Sequence, residues 1–186
     1  MSRDLDDDAL MARTAQGEEA AFRLLVLRWE ADVRAFLVHM LRSPEEAEDL
    51  TQDTFVRVFR EADRYRPAGL FRSWLFRIAG NLARSRLRRR KIIGWLSLDP
   101  DRHDVVDQGP APDEVLDAAA RVRVVRAALA QLPDRQREAI TLHRYQGLKY
   151  REIAEVMGTT VPGVESLVQR ALAALRRDLA GKVEMT

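Results

Sequence analysis

The sequence predicts an all-α protein of two small helical domains joined by a flexible acidic linker. Three observations predict it. Apolar residues recur at the helical period through both halves of the chain. No strand-like alternation runs for more than a few residues. Between Ser97 and Pro112 the stretch SLDPDRHDVVDQGPAP carries three prolines and a glycine and loses the helical period. That break divides the 186 residues into domains expected over 1–95 and 119–186, with the linker across 96–118.

In the first half, the segment from about Asp8 to Leu41 sets Phe22, Leu25, Val26, Trp29, Val33, Phe36, Leu37 and Met40 at helical spacing. A second helix is expected from Ser43-Pro44, where serine can cap and proline suits the first turn. Its inward stripe is Leu50, Phe55, Val58, Phe59 and Ala62. Arg66-Pro67-Ala68-Gly69 then breaks the pattern. A third helix, from about Phe71 to Arg90, turns Leu75, Ile78, Ala79 and Leu82 inward.

In the second half, helical patterning runs from about Asp113 to Leu179, with breaks at Leu132-Pro133, Gln146-Gly147 and Gly158-Thr159-Thr160. Tyr150 to Met157 reads as a short amphipathic helix, and Gly158 stands where a helix stop needs a left-handed residue. Thr159 and Thr160 offer capping oxygens, and Pro162 falls in the next first turn. The following helix, 161–179, buries Val164, Leu167, Val168, Ala171, Leu172 and Leu175. Helix, tight turn and helix together describe a helix-turn-helix over about 150–170. Its outer face carries Glu165, Ser166, Gln169 and Arg170, with Arg176 and Arg177 further along. Polar side chains near the start of such a helix are the kind that read base edges in a major groove. The same pattern also describes an ordinary helical hairpin in a bundle.

Charge is segregated along the chain. The formal net charge is +2, yet residues 56–91 hold twelve basic and two acidic side chains, whereas residues 1–55 hold six and thirteen. Residues 92–118 are acidic again, and 119–186 basic. Two basic blocks parted by an acidic one point to two surfaces for a polyanion. Within the first block, Arg77, Asn81, Arg84 and Arg88 are spaced four, three and four apart and share one helix face. Arginines suit phosphates, and an asparagine amide offers both donor and acceptor to a base. Tyr65, Phe71, Trp74 and Phe76 lie close by, and aromatics beside a basic strip suit single-stranded nucleic acid. Core packing is the alternative reading of Trp74 and Phe71, and the better one for Phe71. Asp49, Gln52 and Asp53, near Phe55, form an edge that on residues alone reads as solvated.

Other classes find little support. With no cysteine, disulfides, thiolate metal sites and a cysteine nucleophile are excluded. His39, His103 and His143 are far apart and fit no metal-ligand spacing, and no phosphate-loop or nucleophile-elbow motif occurs. No cofactor is expected. No apolar run approaches the ~20 residues of a bilayer span. The acidic start, MSRDLDDDAL, lacks the order of a signal peptide, so a cytoplasmic protein is expected.

These runs carry a family resemblance. AAFRLLVLRWEADVRAF, AEDLTQDTFVRVFREADRYRP and FRSWLFRIAGNLARSRLRRRK resemble region 2 of extracytoplasmic-function sigma factors, a subfamily of the sigma-70 factors of bacterial RNA polymerase. LPDRQREAITLHRYQGLKYREIAEVMGTTVPGVESLVQRALAALRRDL resembles their region 4. The resemblance implies a non-enzymatic sigma factor that brings core polymerase to promoters under the control of an anti-sigma factor. It assigns Asp49, Leu50, Gln52, Asp53 and Phe55 to binding the β′ clamp helices, which reverses the solvated reading of that edge. It assigns Trp74, Arg77, Asn81, Arg84 and Arg88 to the −10 element, with Asn81 near a flipped-out base whose extrusion costs a few kcal/mol. Thr160, Glu165, Ser166, Gln169, Arg170 and Arg176 fall to the −35 element, and the same domain would touch the β flap. The chain departs from many relatives at Glu165 and Gln169, so their −35 sequence does not transfer. From Ser97 to Asp117 the chain reaches ~70 Å when extended, about two turns of duplex.

Overall fold

The computed structural model describes residues 6–96 and 115–183. The expected linker from Ser97 to Pro112 lies outside the described residues. Those described are helical, with no strand among them. The first domain contains α1 (Asp7–Ala15), α2 (Glu19–Leu41), α3 (Pro44–Arg60), a 3-10 turn (Ala62–Arg64) and α4 (Phe71–Leu96). The second contains α5 (Val115–Gln131), α6 (Asp134–Arg144), α7 (Tyr150–Met157) and α8 (Val161–Val183).

Local chemistry sets most of these boundaries. Ser43 caps α3 by accepting from Glu46 N at 3.3 Å, with Pro44 in the first turn. Gly158 closes α7 at φ 60°, and Thr160 Oγ1 accepts from Gly163 N at 3.2 Å to open α8. One expectation needs correction. The segment from Asp8 to Leu41 is two helices, because Gly17 at φ +83° reverses the chain between α1 and α2. Asp6 caps the shorter one by accepting from Ala9 N at 2.7 Å.

In the first domain α4 packs against α2 and α3, and Phe36 meets Phe76 edge to face with centroids 5.5 Å apart. Phe59, expected in the inward stripe of α3, is half exposed and rests edge-on against Phe22 at 5.1 Å. In the second, α6 and α8 close around Ile140, Leu142, Val164, Val168 and Ala171.

The two domains also pack on each other, and their buried apolar side chains form one continuous cluster. The carriers of this contact are α4 against α7 and α2 against α6. Arg137 of α6, only 1% exposed, donates to Leu132 O at 3.0 Å and Asp134 Oδ1 at 2.7 Å. It also reaches Met40 O, at the end of α2, at 3.2 Å. It thereby satisfies a helix-terminal carbonyl of the other domain. Gln146 Nε2 donates to Asp32 O at 3.3 Å, and Lys91 pairs with Asp134 at 2.7 Å.

Candidate nucleic-acid interface

The face of α4 away from the core carries Trp74, Arg77, Asn81, Arg84 and Arg88 at steps of three and four residues. Leu75, Ile78, Ala79, Ala83 and Leu87 fill the buried face and fix this orientation. Arg77, Asn81 and Arg88 are exposed, whereas Arg84 is partly buried. Arg84 donates to Asn81 Oδ1 at 2.6 Å and forms an ion pair with Glu138 of α6. Glu138 is 1% exposed, and burial pushes its carboxyl up to about 7 although Arg84 and Arg135 pull it down. Gly80 makes the approach possible, since a Cβ there would stand 2.9 Å from Glu138 Oε1.

Where this stripe begins, a pocket of about 320 Å³ opens between α4 and the loop preceding it. Tyr65, Leu70 and Trp74 give it apolar walls, and Arg64, Arg66 and Arg77 a cationic rim. The rings of Tyr65 and Trp74 lie 5.0 Å apart. Ser73 also lines the pocket, and its Oγ is buried with no hydrogen-bond partner. Glu155 of α7 stands at the edge among the arginines. Phe71 is core, at 2% exposure. Burial, reinforced by Asp8, raises the Tyr65 phenol well above its ordinary value and keeps it a donor.

Asp49, Gln52 and Asp53 project outward from α3 together with Val56. Leu50 and Phe55 do not. At 3% and 6% exposure they turn into the core, as their place in the expected inward stripe has it. The outward edge of α3 is therefore Asp49, Gln52 and Asp53, without the two apolar residues that the resemblance added. The helical register explains it, because Leu50, Thr54 and Val58 form a buried stripe at four-residue steps, offset from the stripe of Asp49 and Asp53. Asp53 and Asn81 line one groove of about 440 Å³ between α3 and α4, with Arg57, Arg86, Arg88 and Arg89. The acidic edge and the basic row are therefore neighbours.

In the second domain α7, the turn and α8 form the expected helix-turn-helix. Thr160, Glu165, Ser166, Gln169, Arg170 and Arg176 are all exposed. Val164 and Val168 are buried and Leu167 partly so, which holds the polar side outward. Arg170 Nε folds back to Ser166 O at 3.1 Å, within its own helix.

Four residues escaped the sequence reading: Asp8, Gly80, Arg137 and Glu138. Only Gly80 left a signal. A glycine inside a helix costs about 1 kcal/mol relative to alanine and so marks a close approach.

The fold defines a two-domain helical protein with a basic, aromatic face on one domain and a helix-turn-helix on the other. Family models match in both: Sigma-70 region 2 over residues 25–92 and Sigma-70 region 4 over 123–175. The chain is 33% identical over 178 residues to the ECF RNA polymerase sigma-E factor of Haemophilus influenzae, covering 92% of this chain and 94% of that one. To the sigma-E factor of Escherichia coli it is 31% identical, covering 94% and 95%. Among solved structures, RpoE of Bartonella quintana in complex with the anti-sigma factor NepR aligns at a TM-score of 0.74 and 30% identity, over 86% and 96%. CnrH in complex with the cytosolic domain of CnrY aligns at 0.70 and 29%, over 94% and 97%. The chain belongs to the extracytoplasmic-function subfamily of sigma-70 factors, and its role is transcription initiation.

Proposed function

We propose that the two surfaces divide promoter recognition, with the α4 face and its pocket taking the −10 element and the outer side of α8 the −35 element. The pocket lined by Tyr65, Leu70 and Trp74 carries this reading. It combines an aromatic wall with a cationic rim, which are what an unstacked base on a charged strand requires. Its volume of about 320 Å³ falls at the small end of ordinary ligand pockets. The base sits here, at the start of the row, and Asn81 contacts the strand beyond it.

Core polymerase docks on the edge formed by Asp49, Gln52 and Asp53 through the β′ clamp helices, while the second domain meets the β flap. The chain itself acts in the cytoplasm without a cofactor and performs no catalysis. Among the described residues no helix is long and apolar enough to cross a membrane. An anti-sigma factor holds it inactive, as the complexes of the similar RpoE and CnrH with NepR and CnrY support.

Run-off transcription with core polymerase on a genomic promoter library tests the reading. Discrete start sites that need both core and this protein are expected. A protein that footprints duplex DNA tightly by itself and yields no transcript with core is instead a stand-alone repressor.

A further inference from the structure

The pocket loop is tied to a helix that none of these roles uses. Asp8, in the first turn of α1, receives two hydrogen bonds from that loop. Its Oδ1 accepts from the Tyr65 hydroxyl at 2.5 Å, and its Oδ2 accepts from Gly69 N at 2.7 Å. The donors lie 57 and 61 residues away in sequence. Between them run Arg66 and Ala68, which line the pocket, and Leu70 follows immediately. Both oxygens of one carboxylate therefore grip the two ends of the segment that forms one wall. Gly69 adopts φ +66°, so its N–H is presented by a turn that a side chain would strain. The anchor behind the grip is firm. Leu10 and Met11 are fully buried, and Asp7 pairs with Arg28 of α2 at 2.5 Å.

We propose that Asp8 is a positioning residue for −10 discrimination, its carboxylate holding the loop from Tyr65 to Gly69 in the shape that admits an unstacked base. This rests on the pocket being the base site. Tyr65 is the link, because the hydroxyl held by Asp8 belongs to the ring that packs on Trp74. Substituting the carboxylate frees one or both ends of the wall and leaves Trp74 and Arg77, both on α4, in place.

The test measures open-complex formation by full-length protein with core polymerase, on promoters carrying each of the four bases in turn at every −10 position. Asp8→Asn keeps the size of the side chain but cannot accept at both atoms. It is expected to shrink the spread among bases at one position by roughly five- to tenfold, as loss of charge-assisted hydrogen bonds implies. Core affinity stays within about twofold, because the edge on α3 is untouched. Tyr65→Phe removes one of the two bonds and gives a smaller shift, and combining it with Asp8→Asn adds little further. Asp7→Asn loosens α1 without touching the loop and leaves base ranking intact. Unchanged ranking in Asp8→Asn overturns the proposal, as does equal flattening by Asp7→Asn, which would assign the effect to helix docking alone. Trp74→Ala separates the two levels. If it alters ranking while Asp8→Asn does not, only the role of Asp8 fails. If neither alters it, the pocket is not the base site.

Discussion

Arg84, in the basic row of α4, is ion-paired with Glu138 of α6, a carboxylate buried between the two domains. The pair joins residues 54 apart in sequence and engages a basic side chain of the first domain with an acid of the second. Glu155 of α7 lines the same pocket as Arg64, Arg66 and Arg77. In this arrangement the second domain covers part of the face assigned to DNA.

Closure should depend on pH through Glu138. Its carboxyl is raised to about 7 from an ordinary 4.5, so the closed state takes up a proton that the open state binds only in acid. The raised value contributes stability that is complete below about 4.5 and is lost as pH climbs through about 7. Facing it are Arg84 from α4 and Arg135 and Asp134 on its own helix. A fluorescence-transfer pair with one label on α3 and one on α8 should report tighter closure at pH 6 than at pH 8. Glu138→Gln should flatten that profile, and a profile unchanged by the substitution would mean another group titrates.

Gly80→Ala should act against its usual sign. In a helix interior this change ordinarily stabilises by about 1 kcal/mol. Here the new methyl would stand 2.9 Å from Glu138 Oε1, so closure should weaken even as the helix gains. With Glu138→Ala in the background the methyl meets only the end of the Arg84 side chain, at 3.3 Å, which can yield once its acid partner is gone, and the same change should become neutral or favourable. Thermal unfolding and the closure signal of the four proteins in this cycle give the coupling directly.

Free protein should bind duplex promoter DNA weakly, and core polymerase should convert it to a specific binder. Arg84 is already paired, and the acidic segments reduce overall attraction to DNA. Glu138→Gln, like protonation of the carboxyl, removes the charge that pairs with Arg84 while keeping the domains closed, so the affinity of the free protein should change by no more than a few-fold. Tight sequence-specific footprints without core would contradict this.

The outer side of α8 should divide its work by position. Glu165 and Gln169 are one turn apart near the helix start, while Arg176 lies further along. Gln169→Ala should cost ~1–3 kcal/mol and relax preference at one −35 base at nearly constant salt dependence. Arg176→Ala should weaken all sequences alike and lower the salt slope by about one. Promoter selection and salt titration on both variants check this, and exchanged outcomes would mean that the helix enters the groove in another orientation.

Much of this architecture was legible in the chain because it depends on neighbours a few residues apart. The cap at Ser43-Pro44, the stop at Gly158 and the stripe from Trp74 to Arg88 are consequences of local hydrogen bonding and of the helical period. Where several apolar residues compete for the inward face, periodicity decides less. Phe59 was expected inward and is half exposed, whereas Leu50 and Phe55, from the same expected stripe, are core.

By itself, then, the sequence determined two helical domains, their basic faces and the helix-turn-helix, since each follows from spacing that any helix enforces. Only the tertiary structure decided what those faces meet. The bond from Arg137 to Met40 O spans 97 residues, and the clamp from Asp8 to Tyr65 spans 57. Such contacts depend on which surfaces of the folded chain are brought together, and helical periodicity carries no information about that. An acidic residue reads alike in sequence whether it stands in water, as Asp53 does, or is buried against an arginine of another domain, as Glu138 is.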